Sequence, residues 1–528
     1  MHYFLMLVGL MACIPNNYAA DIKISSPAQI HPVFVRDQVV QVIAFKYEFN
    51  WFEPYKKGSL MGSSGTAFSI SSQGDYYTNF HVVKNAHAIF LQHPALGKER
   101  FEAEFVGGSP DYDIAHICVK PLELERMKQL LNVTELPYLR LGDSDKVCPG
   151  DPVTLIGYPL GHEEIKRTTG IISGQQSMPS LGECLTITAA ANPGNSGGPC
   201  VNGQGEVIGV LVAGAVVQRM GSTYAAEGYH FILPINRLLA VWDLLKDGRI
   251  IELPYFGFTY TPLTQTTLSY LQVPEKNGVY ITKVFPESIA ALAGLKQGDV
   301  LAGFNNLTID RFGFVNAPWT TYKISLFDLL ARCHDQQKVQ FILYRDGEKV
   351  IVPGAITFAS PLKISYKYPP LQTPPAYLVF GGMIIMEATK NHLDLVKEEL
   401  ATFVAQDELD VVKFLSPQQH YFSKLLITHI FPETEISKNR VITRFGARAI
   451  IKSVNNMLVT TVQDFEQAVL AGASTGSVVI ETYDNTLFAL SLKDVIATDM
   501  LLAPKHGYPL SALIQKLALM PSAKSSTP

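Results

Sequence analysis

This sequence predicts a mainly β fold: an all-β N-terminal half, followed by two smaller α+β units. Three observations carry that reading. Short β-branched and aromatic runs, broken by Gly, Pro, Asn and Asp, recur from about residue 35 to 240. Through that region long helices are scarce, and one helical apolar period, at residues 234–245, closes the series of strands. At 528 residues the chain exceeds what one core organises, so it divides into about three or four domains.

Composition narrows the class. Apolar residues make up 47% and charged residues 17%, which excludes global disorder. The net charge of −4 arises from 43 basic and 47 acidic residues, with no long run of either sign. No basic face is available, so no nucleic-acid partner is expected. Six cysteines (13, 118, 148, 184, 200 and 333) form no CxxC pair. Cys118, Cys184 and Cys200 lie in or beside apolar runs and read as small buried hydrophobes; a disulfide among them stays open. No metal site and no cofactor is indicated.

The chain opens with an apolar run over residues 4–13, too short for a bilayer that takes about 20 apolar residues. It fits a cleaved signal peptide over residues 1–20 ending at Ala20, which implies export to a periplasm or outside the cell. Leu10-Met-Ala-Cys13 also resembles a lipoprotein processing site, and a buried N-terminal strand is the alternative.

The β-rich domain spans 30–248, with strands expected at 39–44, 66–70, 88–91, 153–157 and 207–212 and a closing helix at 234–245. An α+β unit follows at 250–358, with a helical stretch at 325–332. Prolines at 369, 370, 374 and 375 mark an extended linker over 359–376. A second α+β unit fills 377–510. The tail is 511–528, and its small polar residues 521–528 are expected to be disordered.

Three short segments carry chemistry: Tyr77-Thr-Asn-Phe-His81, Asp111-Tyr-Asp113-Ile-Ala, and Asn192-Pro-Gly-Asn-Ser196-Gly-Gly. A serine hydroxyl attacks well only when a base takes its proton. Imidazole suits that task because its pKa lies near neutrality. A carboxylate must then hold the ring and stabilise its charged form. Glycines beside the serine let backbone N–H groups face a developing oxyanion, with Gly194 and Ser196 as expected donors and Asn195 between them. His87, His93 and His116 compete with His81 but read as surface or strand residues, and Asp111 competes with Asp113. Gly194-x-Ser196-x-Gly198 also fits a nucleophile elbow, yet Gly197-Gly-Pro cannot start the helix that elbow needs.

Together with Gly65-Thr-Ala-Phe, the segments 78–83, 113–115 and 194–198 resemble the HtrA/DegP group of trypsin-like proteases. The resemblance implies a trypsin-like double β-barrel of two six-stranded barrels with a His81–Asp113–Ser196 triad. It also implies ATP-independent cleavage of unfolded proteins or peptides, and a homo-oligomer built as a trimer or a multiple of it. The primary specificity pocket of that fold falls on Ala190, Ala191, Asn192, Val210 and Leu211. No acid lies there, so small or medium aliphatic residues are expected at the cleavage position.

Tyr255-Phe256-Gly257-Phe258 and the later Gly294-Leu-x-x-Gly-Asp-Val300 resemble a PDZ domain, the first stretch as its carboxylate-binding loop for C-terminal peptides. Phe380-Gly-Gly-Met opens the last unit at the corresponding place. That unit resembles the divergent second PDZ domain of plant-type Deg proteases, with a helical insertion near 391–414. It lacks the Gly-Leu-x-x-Gly-Asp segment, so assembly or occlusion of the first PDZ is as well supported as peptide binding. The contrasting class is a non-proteolytic chaperone or scaffold on the same fold, and a peptide-gated protease is a third reading.

Overall fold

Two closed six-stranded barrels form the N-terminal half of the computed structural model, which describes residues 36–178, 181–219, 222–400, 413–432, 434–438 and 448–520. The expected signal segment, the 521–528 tail and part of the 391–414 insertion lie outside the described residues.

The first barrel comprises β1 (Val39–Tyr47), β2 (Leu60–Ser69), β3 (Asp75–Thr78), β4 (Ala86–Gln92), β5 (Arg100–Ser109) and β6 (Ile114–Val119). Its order is β1-β2-β3-β6-β5-β4. The second comprises β7 (Pro152–Gly157), β8 (Lys166–Met178), β9 (Gly182–Ile187), β10 (Pro199–Val201), β11 (Val207–Arg219) and β12 (Ser222–Pro234), ordered β10-β11-β12-β9-β8-β7. Closure leaves neither sheet with an open edge.

Alternation along the strands decides which side chains go where. In β1, Val40, Val42 and Ala44 fill the first barrel. Val39 faces the other way, into a shared cluster with Phe68, Tyr77 and Tyr112 from the first barrel and Tyr158, Phe231 and Leu233 from the second. The helix Ile235–Leu245 completes that cluster, and its Trp242 stacks on Tyr77 at 3.8 Å between centroids.

The first α+β unit contains β13 (Phe258–Thr261), β14 (Val279–Val284), β15 (Val300–Phe304), β16 (Leu307–Thr308), β17 (Phe314–Asn316), β18 (Lys323–Ser325), β19 (Lys338–Arg345) and β20 (Glu348–Ala355). The main sheet runs β13-β14-β15-β19-β20, which leaves β13 at an edge. Ser288 and Ser325 cap the short helices Ile289–Ala293 and Leu326–Ala331 by accepting from Ala291 N and Asp328 N. The second of these helices is fastened to the barrels. Tyr112 Oη donates to Ala331 O at 2.5 Å, and Arg332 bridges Asp328 at 2.8 Å and Asp145 at 2.7 Å.

The second unit contains β21 (Tyr377–Phe380), β22 (Met383–Glu387), β23 (Leu425–Ile430), β24 (Ile450–Val454), β25 (Met457–Leu458), β26 (Ser477–Thr482) and β27 (Leu487–Ser491). Its sheet order is β21-β22-β23-β24-β26-β27.

Two boundaries differ from the sequence-based expectation. The tail begins later than residue 511, because Ala512–Leu519 is a helix whose Leu513, Ile514 and Leu517 join the core of the second unit. The 359–376 segment is irregular but not a free linker. Ile364 is buried in the second unit and Tyr368 in the first barrel, where Tyr368 meets Phe80 edge-on at 5.0 Å. Apolar side chains between the prolines hold it down.

The loop joining β1 to β2 reaches the second unit. Trp51 O accepts from His392 Nε2 at 2.9 Å and Phe52 O from Thr428 Oγ1 at 2.9 Å. Arg448 lies 3.6 Å above the Phe52 ring, and Tyr55 stacks on Phe431. The β22–β23 register shifts so that Ile384 faces His429 and Ile385 faces Ile427, which turns Thr428 out towards the loop.

Candidate active site

His81 sits in a single helical turn, Phe80–Val83, directly after β3. Asp113 lies just ahead of β6 with φ +46°, a left-handed conformation that Asp tolerates better than most residues. The carboxylate receives two bonds from one residue: His81 N–H at 2.9 Å and His81 Nδ1 at 2.8 Å. Because a carboxylate only accepts, Nδ1 carries the hydrogen, and in the neutral ring Nε2 is left with a lone pair. Asn79 Nδ2 donates to Asp113 O at 2.9 Å and fixes the backbone behind it. The Asp113 side chain is 8% exposed and that of His81 47%, so the pair presents its ring to solvent over a buried anion.

Ser196 lies in the loop between β9 and β10. The loop packs against the approach to His81: a Cβ on Gly197 would stand 2.9 Å from Asn79 N and 2.2 Å from Thr66 O. Gly197 takes φ +84° and Gly194 φ +98°, and both positions need glycine. The Ser196 hydroxyl donates to Val212 O at 3.1 Å. Pro193 O accepts from Leu160 N at 2.5 Å. In a trans peptide the N–H points opposite to the C=O, so Gly194 N–H is directed away from Leu160. Among the described residues the amides of Gly194 and Ser196 have no partner, whereas Asn195 N donates to Asn192 O at 3.0 Å. Asn195 therefore drops out as an oxyanion donor, its amide spent on the turn and its side chain buried.

Thr66 ties the loop to the first barrel. Its hydroxyl donates to Gly194 O at 2.8 Å and accepts from Tyr158 N at 3.0 Å. Its own N–H donates to Ser196 O at 2.9 Å. Sequence reasoning picked out the Gly65-Thr-Ala-Phe segment but not this function.

The other residues separate by geometry. His87 lies in β4. His116, in β6, bonds Asp75 at 2.8 Å. His93 is neither exposed nor in a strand: it is buried after β4, with Nε2 2.9 Å from Asp37 O. Asp111 accepts from Leu253 N at 2.7 Å and serves the domain junction.

Of the expected specificity residues, Leu211 shares an apolar cluster with Ala189, Leu185, Ile187 and Ile232, against which Ala191 packs. Ala190 and Asn192 are exposed. Val210 is a correction: neighbours on a strand face opposite ways, and Val210 points into the inter-barrel cluster with Phe231 and Leu233. His230 on β12 was missed. Its Nε2 accepts from Ala191 N at 3.3 Å, and burial lowers its pKa, which favours the neutral ring. The only sequence signal for it was a lone His within an apolar strand.

In the first α+β unit the rings of Phe256 and Phe258 are core residues. The carbonyls of Tyr255 and Phe256 accept from Ile289 N and Ala290 N at the start of a helix. Gly257 takes φ +65°, and its amide has no partner among the described residues. Tyr255 Oη accepts from Tyr421 Oη of the second unit at 3.1 Å.

Residues 65–210 match the trypsin-like peptidase domain family, and this stretch holds His81, Asp113 and Ser196. Residues 65–210 thus fall in a trypsin-like peptidase domain, and the chain is similar to serine proteases of the HtrA/DegP type. It is 30% identical over 286 residues to the periplasmic serine endoprotease DegP of Escherichia coli, covering 53% of this chain and 54% of that protein. With Protease Do-like 2, chloroplastic, of Arabidopsis thaliana, identity is 27% over 440 residues, 80% of this chain and 67% of the relative. The match thus spans about half the length of the bacterial HtrA/DegP relatives and two thirds of the plant one. The solved HtrA-type protease AlgW with decapeptide aligns at a TM-score of 0.46 and 24% identity, covering 62% of this chain and 96% of that one.

Proposed function

We propose that the chain is a serine endopeptidase in which Ser196 is the nucleophile, His81 the general base and Asp113 its orienting carboxylate. The observation that carries this is the doubly bonded His81–Asp113 pair beside a glycine loop with two amides unpaired among the described residues. Nε2 of His81 takes the Ser196 proton as Oγ attacks a peptide carbonyl, and Asp113 stabilises the imidazolium. The N–H groups of Gly194 and Ser196 hold the oxyanion. His81 then protonates the leaving amine, and water hydrolyses the acyl-enzyme by the same route.

The Ser196–Val212 bond favours a gated variant of this reading, with the hydroxyl parked on a carbonyl until substrate arrives. Its magnitude limits that idea. An ordinary hydrogen bond contributes a net of about 0.5–1.5 kcal/mol, so parking slows attack by roughly tenfold at most.

Unfolded proteins are the proposed substrates, with small or medium aliphatic side chains at the cleavage position, set by Ala191 and Leu211 and backed by His230. The first α+β unit is proposed to receive C-terminal peptides at Tyr255–Phe258, in an exported homo-oligomer built on trimers. Hydrolysis of unfolded casein by the native chain and by Ser196→Ala tests the core of the reading. The substitution is expected to lower turnover by about a millionfold. Equal rates in both proteins would remove Ser196 as the nucleophile.

A further inference from the structure

The two α+β units share one loop geometry. In the first, Phe285 N donates to Gly257 O at 2.8 Å; in the second, Phe431 N donates to Gly382 O at 2.9 Å. A Cβ on Gly257 would strike Ser288 at 2.1 Å, and one on Gly382 would strike Thr434 at 2.2 Å. Thr282-Lys-Val-Phe-Pro-Glu287 in one unit matches Thr428-His-Ile-Phe-Pro-Glu433 in the other. Gly382 is thus the counterpart of Gly257, and Phe380-Gly-Gly382-Met383 the counterpart of Tyr255-Phe-Gly257-Phe258.

What differs is what fills them. The Gly257 amide is unpaired among the described residues. Gly381 N and Gly382 N instead donate to the two carboxylate oxygens of Asp499, at 3.0 and 2.9 Å. Both glycines have positive φ, +59° and +79°, which turns consecutive N–H groups towards one anion. Asp499 is 1% exposed and lies on the helix Leu492–His506 between Val495 and Leu502, on one face at i, i+4 and i+7. Val495 and Leu502 pack over the same two glycines. An acid in an apolar stripe, bonded among the described residues only to a glycine loop, is placed as a ligand would be.

The strand edge is filled as well. A C-terminal peptide binds by adding a strand beside the loop and delivering its carboxylate to the loop amides. In the first unit the strand following the loop, β13, is an edge. In the second, β22 pairs antiparallel with β21, residue 380 against 383, so the chain's own strand runs into the loop.

We propose that the second α+β unit is a carboxylate-recognition module closed by its own chain, with β21 standing for a peptide strand and Asp499 for its terminal carboxylate. External C-termini are thereby excluded from this unit and left to the first. The inference is independent of the protease chemistry, and it rests on the reading of the first loop as a carboxylate site only through the shared geometry.

Acetate, the smallest carboxylate, is the probe. Full-length Asp499→Ala is expected to melt below the native chain and to rise in acetate relative to chloride at equal ionic strength. The native chain, which can take acetate only at the Gly257 loop, is expected to rise less. An identical response of the two proteins to acetate overturns the proposal. Amide exchange in the native chain provides a readout that needs no variant: Gly381 and Gly382 are expected to exchange slowly and Gly257 freely. Equal exchange at Gly257 and Gly382 overturns the proposal even if Asp499→Ala does not fold. A chain that shows acetate rescue but binds no free-carboxylate peptide at Tyr255–Phe258 loses only the reading of the first loop.

Discussion

Arg237 and Asp328, from different domains, face each other with Nε 3.6 Å from Oδ1, and both side chains are at most 2% exposed. Arg332 adds a second guanidinium to the same carboxylate at 2.8 Å. Asp328 therefore neutralises two cations at the seam between the second barrel and the first α+β unit.

Removing it should be costly. Asp328→Ala strands the Arg237 guanidinium with little water around it and leaves Arg332 only Asp145, and breaking such a buried pair costs about 3–5 kcal/mol. Urea denaturation is expected to show that loss. Replacing both Arg237 and Asp328 by apolar residues of similar volume should recover part of it. A loss below about 1 kcal/mol for Asp328→Ala would mean that the seam is solvated, as exposed pairs are.

Thr66→Val tests the tie between the first barrel and the Ser196 loop. The change keeps shape but leaves Gly194 O and Tyr158 N without their partner. We expect about 1–3 kcal/mol less stability. We also expect kcat to fall about tenfold or more at little changed KM, because misplaced oxyanion donors act on the transition state. Thr66→Ser should restore kcat. A merely structural Thr66 would leave kcat unmoved in the molecules that remain folded.

Two buried groups of the second unit titrate in opposite senses. Burial pushes the His392 pKa down to about 4 from 6.5, so its contribution to stability is lost as pH falls from about 6.5 to 4. Burial pushes the Asp499 carboxyl up to about 6 from 3.8, against the pull of its two amides. Its contribution is full below about 4 and lost as pH rises through about 6. The native profile should therefore be nearly flat between those limits. His392→Gln is expected to make the second unit more stable at about pH 5 than at 7, and Asp499→Asn to do the reverse. Denaturation followed through Trp51 reads this directly, and two variants with the native profile would refute it.

Local signals were the legible ones. His81, Asp113 and Ser196 each stood in a short distinctive segment, and the all-β half could be read from short strand runs broken by turn residues, while its two six-stranded barrels came only from the family resemblance. Register and long-range pairing were not legible. Val210 and Leu211 are equally apolar, and only the strand's orientation places one in the inter-barrel cluster and the other beside Ala191. The helix at 512–519 follows a Pro-Leu-Ser stretch and was read as tail, because its apolar face means little without the core it covers. Asp499 looks like any helical acid until a loop 117 residues upstream is seen folded against it.

The β1–β2 loop raises a matter of timing. Phe52 docks on Thr428, 376 positions later in the chain. At about 5–20 residues per second of synthesis, Phe49, Trp51, Phe52 and Tyr55 wait roughly 20 to 75 seconds for their counterpart to leave the ribosome. Throughout that interval the nascent barrel presents a cluster of aromatic side chains, and only the second α+β unit can cover it.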